Sequence, residues 1–181
     1  MSAEVQASTA TAPSMEATPM QPWLIAQMLI LLALANGTPV FAKKIFGERF
    51  SRPIDGGLRF FDGRPLFGAS KTIRGALLAI LVTTAGAPLI GLDWKIGALM
   101  GTFAMIGDLV SSFIKRRLAM ASSSQASGLD QIPESLLPVL ACRGALALTA
   151  LDILAIVLLF FVGEVLLSRL LFKFGLRDRP Y

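Results

Sequence analysis

Residues 107–117 read GDLVSSFIKRR, and a second part of the same pattern, LDQIP, follows at 129–133 after a Ser-rich loop. The first stretch places a carboxylate inside an apolar run and ends the run with three cations. On a helix, Asp108, Ser112 and Lys115 lie at positions i, i+4 and i+7 and therefore share one face. Because an unpaired carboxylate is costly in lipid, Asp108 predicts a functional site near the end of a membrane helix. For the three cations alone, anchoring of the helix end to lipid headgroups is an equally good explanation.

The composition is that of an integral membrane protein. The chain has 181 residues, of which 54% are hydrophobic, and its mean hydropathy is +0.67. The net charge of +5 comes from cations that flank apolar runs, so positive-inside topology and phosphate-bearing ligands explain it better than nucleic acid does. The chain has one cysteine, Cys142, and no histidine, which excludes an intrachain disulfide, a multi-cysteine metal site and catalysis by histidine.

Hydropathy predicts an all-α membrane domain of five transmembrane helices over residues 22–181, preceded by a disordered tail at 1–21. The last apolar run is long enough for two spans, with a turn near Leu151-Asp152. In the third span, Gly97 and Gly101 predict close approach of a neighbouring helix. The spans are expected at about 23–42, 76–92 and 96–114, with two more within 132–174.

The distribution of Lys and Arg predicts a multi-pass protein of the cell membrane with its N-terminus outside and its C-terminus in the cytoplasm. The loops 43–74 and 115–131 and the C-terminal segment 173–181 are then cytoplasmic, and we expect them to carry the active site. The 43–74 loop holds eight of the chain's 17 Lys and Arg residues. Since it lies on the same side as the end of the third span, we expect Lys71 and Arg74 to approach the cations at 115–117 and form one pocket.

Several polar sequences have simpler structural explanations. PIDGG at 53–57 and DGRP at 62–65 predict turns, and GASKTIRG at 68–75 resembles a phosphate-binding loop only loosely. Asp130 precedes a Pro and a Glu that an ordinary helix start prefers, so it could serve as an acid of the cap region. Arg143 is predicted inside the fourth span and needs a carboxylate or a lipid phosphate as its partner. The sequence leaves open the roles of Arg143, Asp152 and Glu164.

Two carboxylates together with Lys and Arg residues from two loops suit a magnesium–polyphosphate site. Mg²⁺ is commonly held by one or two carboxylates, substrate phosphates and water, and phosphoryl or nucleotidyl transfer depends chiefly on positioning and charge neutralisation. A phosphate that acts as the nucleophile is already ionised at neutral pH and needs no general base. A lipid phosphate that attacks the α-phosphate of a nucleoside triphosphate meets these conditions without histidine.

The combined order of these motifs resembles the CDP-archaeol synthase family, within the wider CDP-diglyceride synthetase superfamily. The resemblance covers about residues 23–181, and it departs from the family pattern at Ala119, where glycine is frequent, and at Ser127-Gly128, where proline is frequent. The motifs that carry it are Gly107-Asp108, Ser112, Lys115-Arg116-Arg117, Leu129-Asp130-Gln131, Asn36 with Pro39, Pro53–Gly57, Phe61–Arg64, Leu66–Gly68, Lys71-Thr72 with Arg74-Gly75, and Leu176–Tyr181.

The resemblance implies a five-span transferase that uses CTP and Mg²⁺ to activate a lipid phosphate in phospholipid biosynthesis and releases pyrophosphate. The lipid would be archaetidic acid or a phosphatidate-like molecule. By position, Asp108 and Asp130 are implied as metal ligands and, with Lys71 and Lys115, as catalytic residues. The implied substrate-binding residues are Asn36, Asp62, Arg64, Arg74, Ser112, Arg116 and Gln131.

Two other classes of membrane protein share some of these features. A CDP-alcohol phosphotransferase needs aspartates four residues apart on a helix, and this chain has no Asp-x-x-x-Asp. A non-enzymatic membrane protein, such as a small transporter or an assembly factor, would use Arg143, Asp152 and Glu164 as a polar path. It does not explain why polar, Gly-rich motifs gather on one face of the membrane.

Overall fold

The computed structural model describes residues 20–122, 126 and 128–173, with side chains as far as Ser168. It contains five helices: α1 (Pro22–Phe46), α2 (Ile73–Leu89), α3 (Trp94–Arg117), α4 (Gln131–Leu146) and α5 (Ala150–Lys173). The described residues form no strand, only isolated bridges between Pro53 and Thr72 and between Arg59 and Pro65. Of the predicted N-terminal tail, 1–19 lie outside the described residues, as does the C-terminal segment 174–181.

Three helical segments are long and apolar enough to cross a membrane: Pro22–Phe46, Trp94–Arg117 and Ala150–Ser168. The apolar α2 has 17 residues and α4 has 16. At a rise of 1.5 Å per residue, each of these two is about 25 Å long, against a hydrocarbon thickness of about 30 Å. The all-helical prediction is confirmed, and a membrane-embedded chain is supported. Five spans remain a prediction. Three helices of the described part are long and apolar enough to be such spans.

Helix α3 is the centre of the bundle, where it packs against α1, α2 and α4, while α5 packs against α4 and α1. The buried apolar core joins Met28 and Leu31 of α1 to Met100 of α3, Val139 of α4 and Ile156 of α5. Between α2 and α3, a Cβ atom at Gly97 would overlap the carbonyl of Thr83, and one at Gly101 would overlap the Thr83 hydroxyl. The predicted close approach of a helix to these two glycines is confirmed.

The structure refines two predicted positions near the α4–α5 connection. The chain turns at 147–149, before Leu151-Asp152, and Asp152 lies in the first turn of α5. There its carboxylate accepts hydrogen bonds from the Thr149 N–H at 3.0 Å, the Thr149 hydroxyl at 2.7 Å and the Gln21 N–H at 3.1 Å. Arg143 is exposed in the last turn of α4, where a cation complements the helix dipole.

Candidate active site

A cavity of about 940 Å³ lies where the end of α1, the loop before α2, the last turns of α3 and the start of α4 meet. Most of its walls come from helix ends and from the loop at 47–72, and α5 adds Glu164. Seven of the residues predicted from the sequence line it: Asn36, Lys71, Arg74, Asp108, Lys115, Asp130 and Gln131. The two sequence motifs, 107–117 and 129–133, therefore meet in one place.

Asp108 is held at this cavity by the contact between α3 and α4. A Cβ atom on the preceding Gly107 would overlap the carbonyl of Pro133 and would lie 2.9 Å from the Cα of Glu134. Only glycine allows the two backbones to come this close. From the other side, the ammonium of Lys71 forms an ion pair with the Asp108 carboxylate, and the Lys71 carbonyl accepts a 2.8 Å hydrogen bond from the Ile54 N–H.

Asp130 forms the second ion pair of the cavity. Its Oδ1 atom lies 2.7 Å from Nζ of Lys115, and its Oδ2 atom accepts a 3.0 Å hydrogen bond from the Ala126 N–H. Although Asp130 immediately precedes α4, its side chain makes no capping hydrogen bond to that helix. The carboxylate is thus turned to Lys115 and the loop, and the explanation of Asp130 as a simple cap is wrong.

The PIDGG sequence does more than form a turn, because the buried carboxylate of Asp55 organises the loop that carries Lys71. It accepts hydrogen bonds from the N–H groups of Gly57 at 2.9 Å, Phe67 at 2.9 Å and Gly68 at 3.2 Å. Burial acts to raise the pKa of Asp55, but these three donors outweigh it, so the pKa lies below its ordinary value. The ionised form is the one that holds the loop.

Asp62 and Arg64, two of the predicted substrate-binding residues, do not line the cavity. They attach the loop to the end of α3 through Arg117, which forms a 2.6 Å ion pair with Asp62 and donates to the Pro65 carbonyl at 2.6 Å. Arg64 donates in turn to the Arg117 carbonyl at 2.5 Å. The Arg117 guanidinium also lies over the rings of Phe60 and Phe113, 4.7 and 5.0 Å from their centroids.

Three other predicted contacts are buried or are bound by protein groups. Ser112 is fully buried and does not line the cavity, and Arg116 is buried and donates to the Ala121 carbonyl at 2.8 Å. Arg74 lines the cavity, but its guanidinium donates to the Gly47 carbonyl at 3.1 Å and to the Arg49 carbonyl, just beyond α1. Because Lys115 and Arg116 are buried in protein, anchoring to lipid headgroups does not explain the cations at the end of α3.

Sequence reasoning missed several charged residues of the cavity. Glu134 is buried with its carboxyl group against Asp108, and Glu164 reaches the same cavity from α5. Since Glu134 lies four residues after Asp130, helical spacing could have placed both on one face. Glu164 has no comparable local signal. Lys43, Lys44 and Glu48 also line the cavity from the end of α1 and the residues just beyond it.

The cavity offers Mg²⁺ a donor set of the kind that it prefers. Asp108 and Asp130 supply carboxylate oxygens. Within the described residues, however, no group of three or more His, Cys, Asp or Glu side chains is arranged to hold a metal ion by itself. A site made of two carboxylates completed by substrate phosphates and water needs no such group. The donors therefore fit a metal that arrives together with a polyphosphate.

Comparison with known proteins gives consistent results. The family model described as CarS-like, CDP-archaeol synthase, matches residues 87–181. A CDP-archaeol synthase of Sulfurisphaera tokodaii is 34% identical over 154 residues, which are 82% of this chain and 89% of the relative. One from Saccharolobus islandicus is 39% identical over 116 residues, 60% of this chain and 66% of the relative.

A solved structure described as an intramembrane enzyme for archaeal membrane lipids biosynthesis is similar in fold. The TM-score is 0.68 at 27% sequence identity, over 78% of this chain and 90% of that chain. The region that the family model matches, 87–181, includes both motifs whose carboxylates face the cavity. The resemblance inferred from the motifs is confirmed, and this chain belongs to the CDP-archaeol synthase family.

Proposed function

We propose that this chain transfers CMP from CTP to a lipid phosphate, giving a CDP-activated lipid and pyrophosphate for phospholipid biosynthesis. Membership of the family makes it a CTP-dependent lipid cytidylyltransferase of the membrane. The lipid is archaetidic acid or a phosphatidate-like molecule. The observation that carries the proposal is the pairing of Asp108 with Lys71 and of Asp130 with Lys115 in one cavity.

In this reaction, an oxygen of the lipid phosphate forms a bond to the α-phosphorus of CTP. The bond between that phosphorus and the oxygen bridging to the β-phosphate breaks, and pyrophosphate leaves with the electron pair. The nucleophile is already anionic, so no side chain has to remove a proton. Lys71, Lys115 and Arg74 would neutralise and orient the triphosphate, which is the main requirement of such a transfer.

Asp108 and Asp130 are the residues that would hold Mg²⁺. When bound, Mg²⁺ would neutralise charge on the attacked phosphate and on the leaving pyrophosphate. Without ligands, the two aspartates and two lysines neutralise one another. CTP would draw the lysines away from the aspartates, and the freed carboxylates would then be available to hold Mg²⁺. We therefore expect each ligand to strengthen the binding of the other.

The test is a transfer assay with labelled CTP in which archaeal ether-lipid phosphate and phosphatidate are supplied side by side, with Mg²⁺ or with EDTA. Asp130→Asn and Asp108→Asn should each lower CDP-lipid formation by orders of magnitude. Asp93→Asn is the matched control, because Asp93 caps α3 at its far end through the Lys95 N–H, and Asn caps about as well as Asp.

Two direct binding measurements complement the assay. Calorimetry with CTP should show tighter binding when Mg²⁺ is present, and Mn²⁺ binding followed by electron paramagnetic resonance should weaken in both site variants but not in Asp93→Asn. Near-normal transfer by Asp130→Asn would contradict the two-carboxylate site and leave Asp108 alone. Loss of activity in Asp93→Asn would show that the assay reports folding rather than chemistry.

The orientation in the cell membrane, with the N-terminus outside and the cavity on the cytoplasmic side, belongs to the same proposal. It rests on the positive-inside rule. Trp94 is exposed at the start of α3, and Cys142 is fully buried, so a cysteine in place of Trp94 offers an accessible thiol. A membrane-impermeant reagent should label it only from outside the cell. Labelling only from the cytoplasmic side would reverse the topology.

A non-enzymatic role receives no support from the charged residues that it would use. Asp152 is occupied at the start of α5, Arg143 is exposed at the end of α4, and Glu164 lines the cavity. These three residues therefore serve separate parts of the protein and do not form one polar path.

A further inference from the structure

The DGRP motif stands apart from the cavity, in a small hairpin that exposes an aromatic side chain. In this 58–66 hairpin, the Phe60 N–H donates to the Arg64 carbonyl at 2.8 Å, and the Leu66 N–H donates to the Leu58 carbonyl at 2.9 Å. Phe61 is at the turn and is 100% exposed. The tip of the turn therefore presents a large apolar side chain at the surface of the protein.

The hairpin is fixed firmly to α3. The ring of Phe60 packs edge-on against Phe113, with centroids 5.3 Å apart, and Arg117 binds Asp62 and the Pro65 carbonyl. The base of the hairpin is thus buried against the helix end, while its tip projects. The exposure of Phe61 follows from the geometry of this attachment.

The point of attachment places the hairpin at the membrane surface. Helix α3 has 24 residues and is apolar enough to span, so its length of about 36 Å exceeds the hydrocarbon thickness of about 30 Å. Arg117 is the last residue of that helix. Its last turn, and the hairpin bound to it, therefore lie at the level of the lipid headgroups.

The charges of the hairpin and of the segment before it suit an anionic lipid surface. Asp62, the acid of the turn, is neutralised by Arg117. Arg59 stays in the hairpin and donates to the Gly63 carbonyl at 2.9 Å. Arg49 and Arg52 are exposed on the preceding segment, as are the apolar side chains of Phe50 and Leu58. Aromatic side chains among arginines are typical of segments that lie in the interface of an anionic bilayer.

We propose that the 58–66 hairpin is a membrane-interface anchor, with Phe61 inserted at the headgroup–acyl boundary of the anionic bilayer that the chain spans. The same chain segment continues to Phe67 and Gly68, which Asp55 holds, and then to Lys71 at the cavity. Insertion of Phe61 would fix the height of this loop relative to the lipid surface. The anchor is independent of the chemistry assigned to the cavity.

The test measures depth in the membrane. Nitroxide labels are attached to Phe61→Cys and, as a matched control, to Ala121→Cys, which is exposed on the loop after α3. Cys142 is fully buried and does not compete for the label. The full chain is reconstituted in vesicles of phosphatidylglycerol and phosphatidylcholine, and relaxation by dissolved oxygen is compared with relaxation by a water-soluble nickel chelate. The oxygen-to-nickel ratio should be several-fold higher at position 61 than at position 121.

Two results would overturn the anchor. Equal ratios at the two positions would mean that Phe61 projects into water. Protection of position 61 from both reagents would mean that protein, such as a second copy of this chain, covers it. Because Phe61 is fully exposed, Phe61→Ser should leave thermal unfolding in detergent unchanged, which verifies that substitutions at this position do not act through the fold.

Discussion

Replacement of Gly107 by alanine is expected to separate α3 from α4 and to disable the site. The new Cβ atom would overlap the Pro133 carbonyl and would lie 2.9 Å from the Cα of Glu134. Both neighbours are backbone atoms, so no side-chain rotation can relieve the overlap. One helix must move, and Asp108, the next residue, moves relative to Asp130.

The size of the effect follows from two opposing contributions. Overpacking of this kind costs about 3 kcal/mol, whereas alanine is favoured over glycine inside a helix by about 1 kcal/mol. The net loss in the free energy of unfolding is about 2 kcal/mol, which corresponds to a melting temperature about 4–8 °C lower for a chain of this size. Gly144 in α4 has nothing within 4 Å of the equivalent Cβ position, so Gly144→Ala should stabilise by about 0.5–1 kcal/mol.

Thermal unfolding of both variants in the same detergent, together with CDP-lipid formation, tests this reasoning. Gly107→Ala should lose both stability and turnover, and Gly144→Ala should retain both. If Gly107→Ala melts at the wild-type temperature and turns over normally, the helices are not held together at this contact, and the account of how the aspartates meet is wrong.

Three further predictions concern the loop and the end of α3. Lys71→Met should raise the KM for CTP by about 10- to 100-fold, which is the value of one charge-assisted contact. Lys95→Met, at the far end of α3, is the control and should leave the KM unchanged. If Lys71→Met has the wild-type KM, Lys71 does not contact CTP in the pocket. The pKa of Asp55 is lowered, so the ionised side chain stabilises the loop fully above its unfolded pKa of about 3.9, and this stabilisation is lost as pH falls through the lower folded pKa. Amide exchange at Phe67 and Gly68, corrected for its intrinsic pH dependence, should therefore accelerate only below about pH 4. In Asp55→Asn, exchange at these two amides should be fast already at neutral pH. Ala119 has a φ of 60°, and Ala119→Gly should raise the free energy of unfolding by about 0.5–1 kcal/mol. The substitution relieves about 1–2 kcal/mol of backbone strain, which exceeds the extra entropy that glycine loses on folding. An unchanged melting temperature would refute that strain.

The sequence was sufficient where local pattern decides structure. The lengths of the apolar runs and the distribution of charge predicted the helical fold, and the spacing in 107–117 placed Asp108 and Lys115 on the face that lines the cavity. Helical spacing alone also grouped Ser112 with them, but Ser112 is buried away from the cavity. One face of a helix is wide enough to hold both a residue that lines a cavity and a residue that packs against a neighbouring helix. Residue spacing alone cannot distinguish the two.

The loop before α2 could not be predicted in the same way, because its structure depends on distant partners. Asp62 and Arg64 have the residue types of a phosphate site, and only the position of Arg117 shows that they attach the loop to α3. The hydrogen bonds from Phe67 and Gly68 to Asp55 likewise join residues more than ten positions apart. Turn signals in PIDGG and DGRP identified where the chain bends, but not what the bends bind.

The candidate site depends on contacts between segments that are individually incomplete. Asp108 and Lys115 come from α3, Lys71 comes from the loop before α2, and Asp130 is the residue before α4. The approach of Gly107 to Pro133 brings these parts together. Each aspartate then has one lysine from a separate segment, so the charge of each of these two carboxylates is balanced before any substrate binds. A single motif could not achieve this balance, which explains why the order of several motifs identified the family more specifically than any one of them.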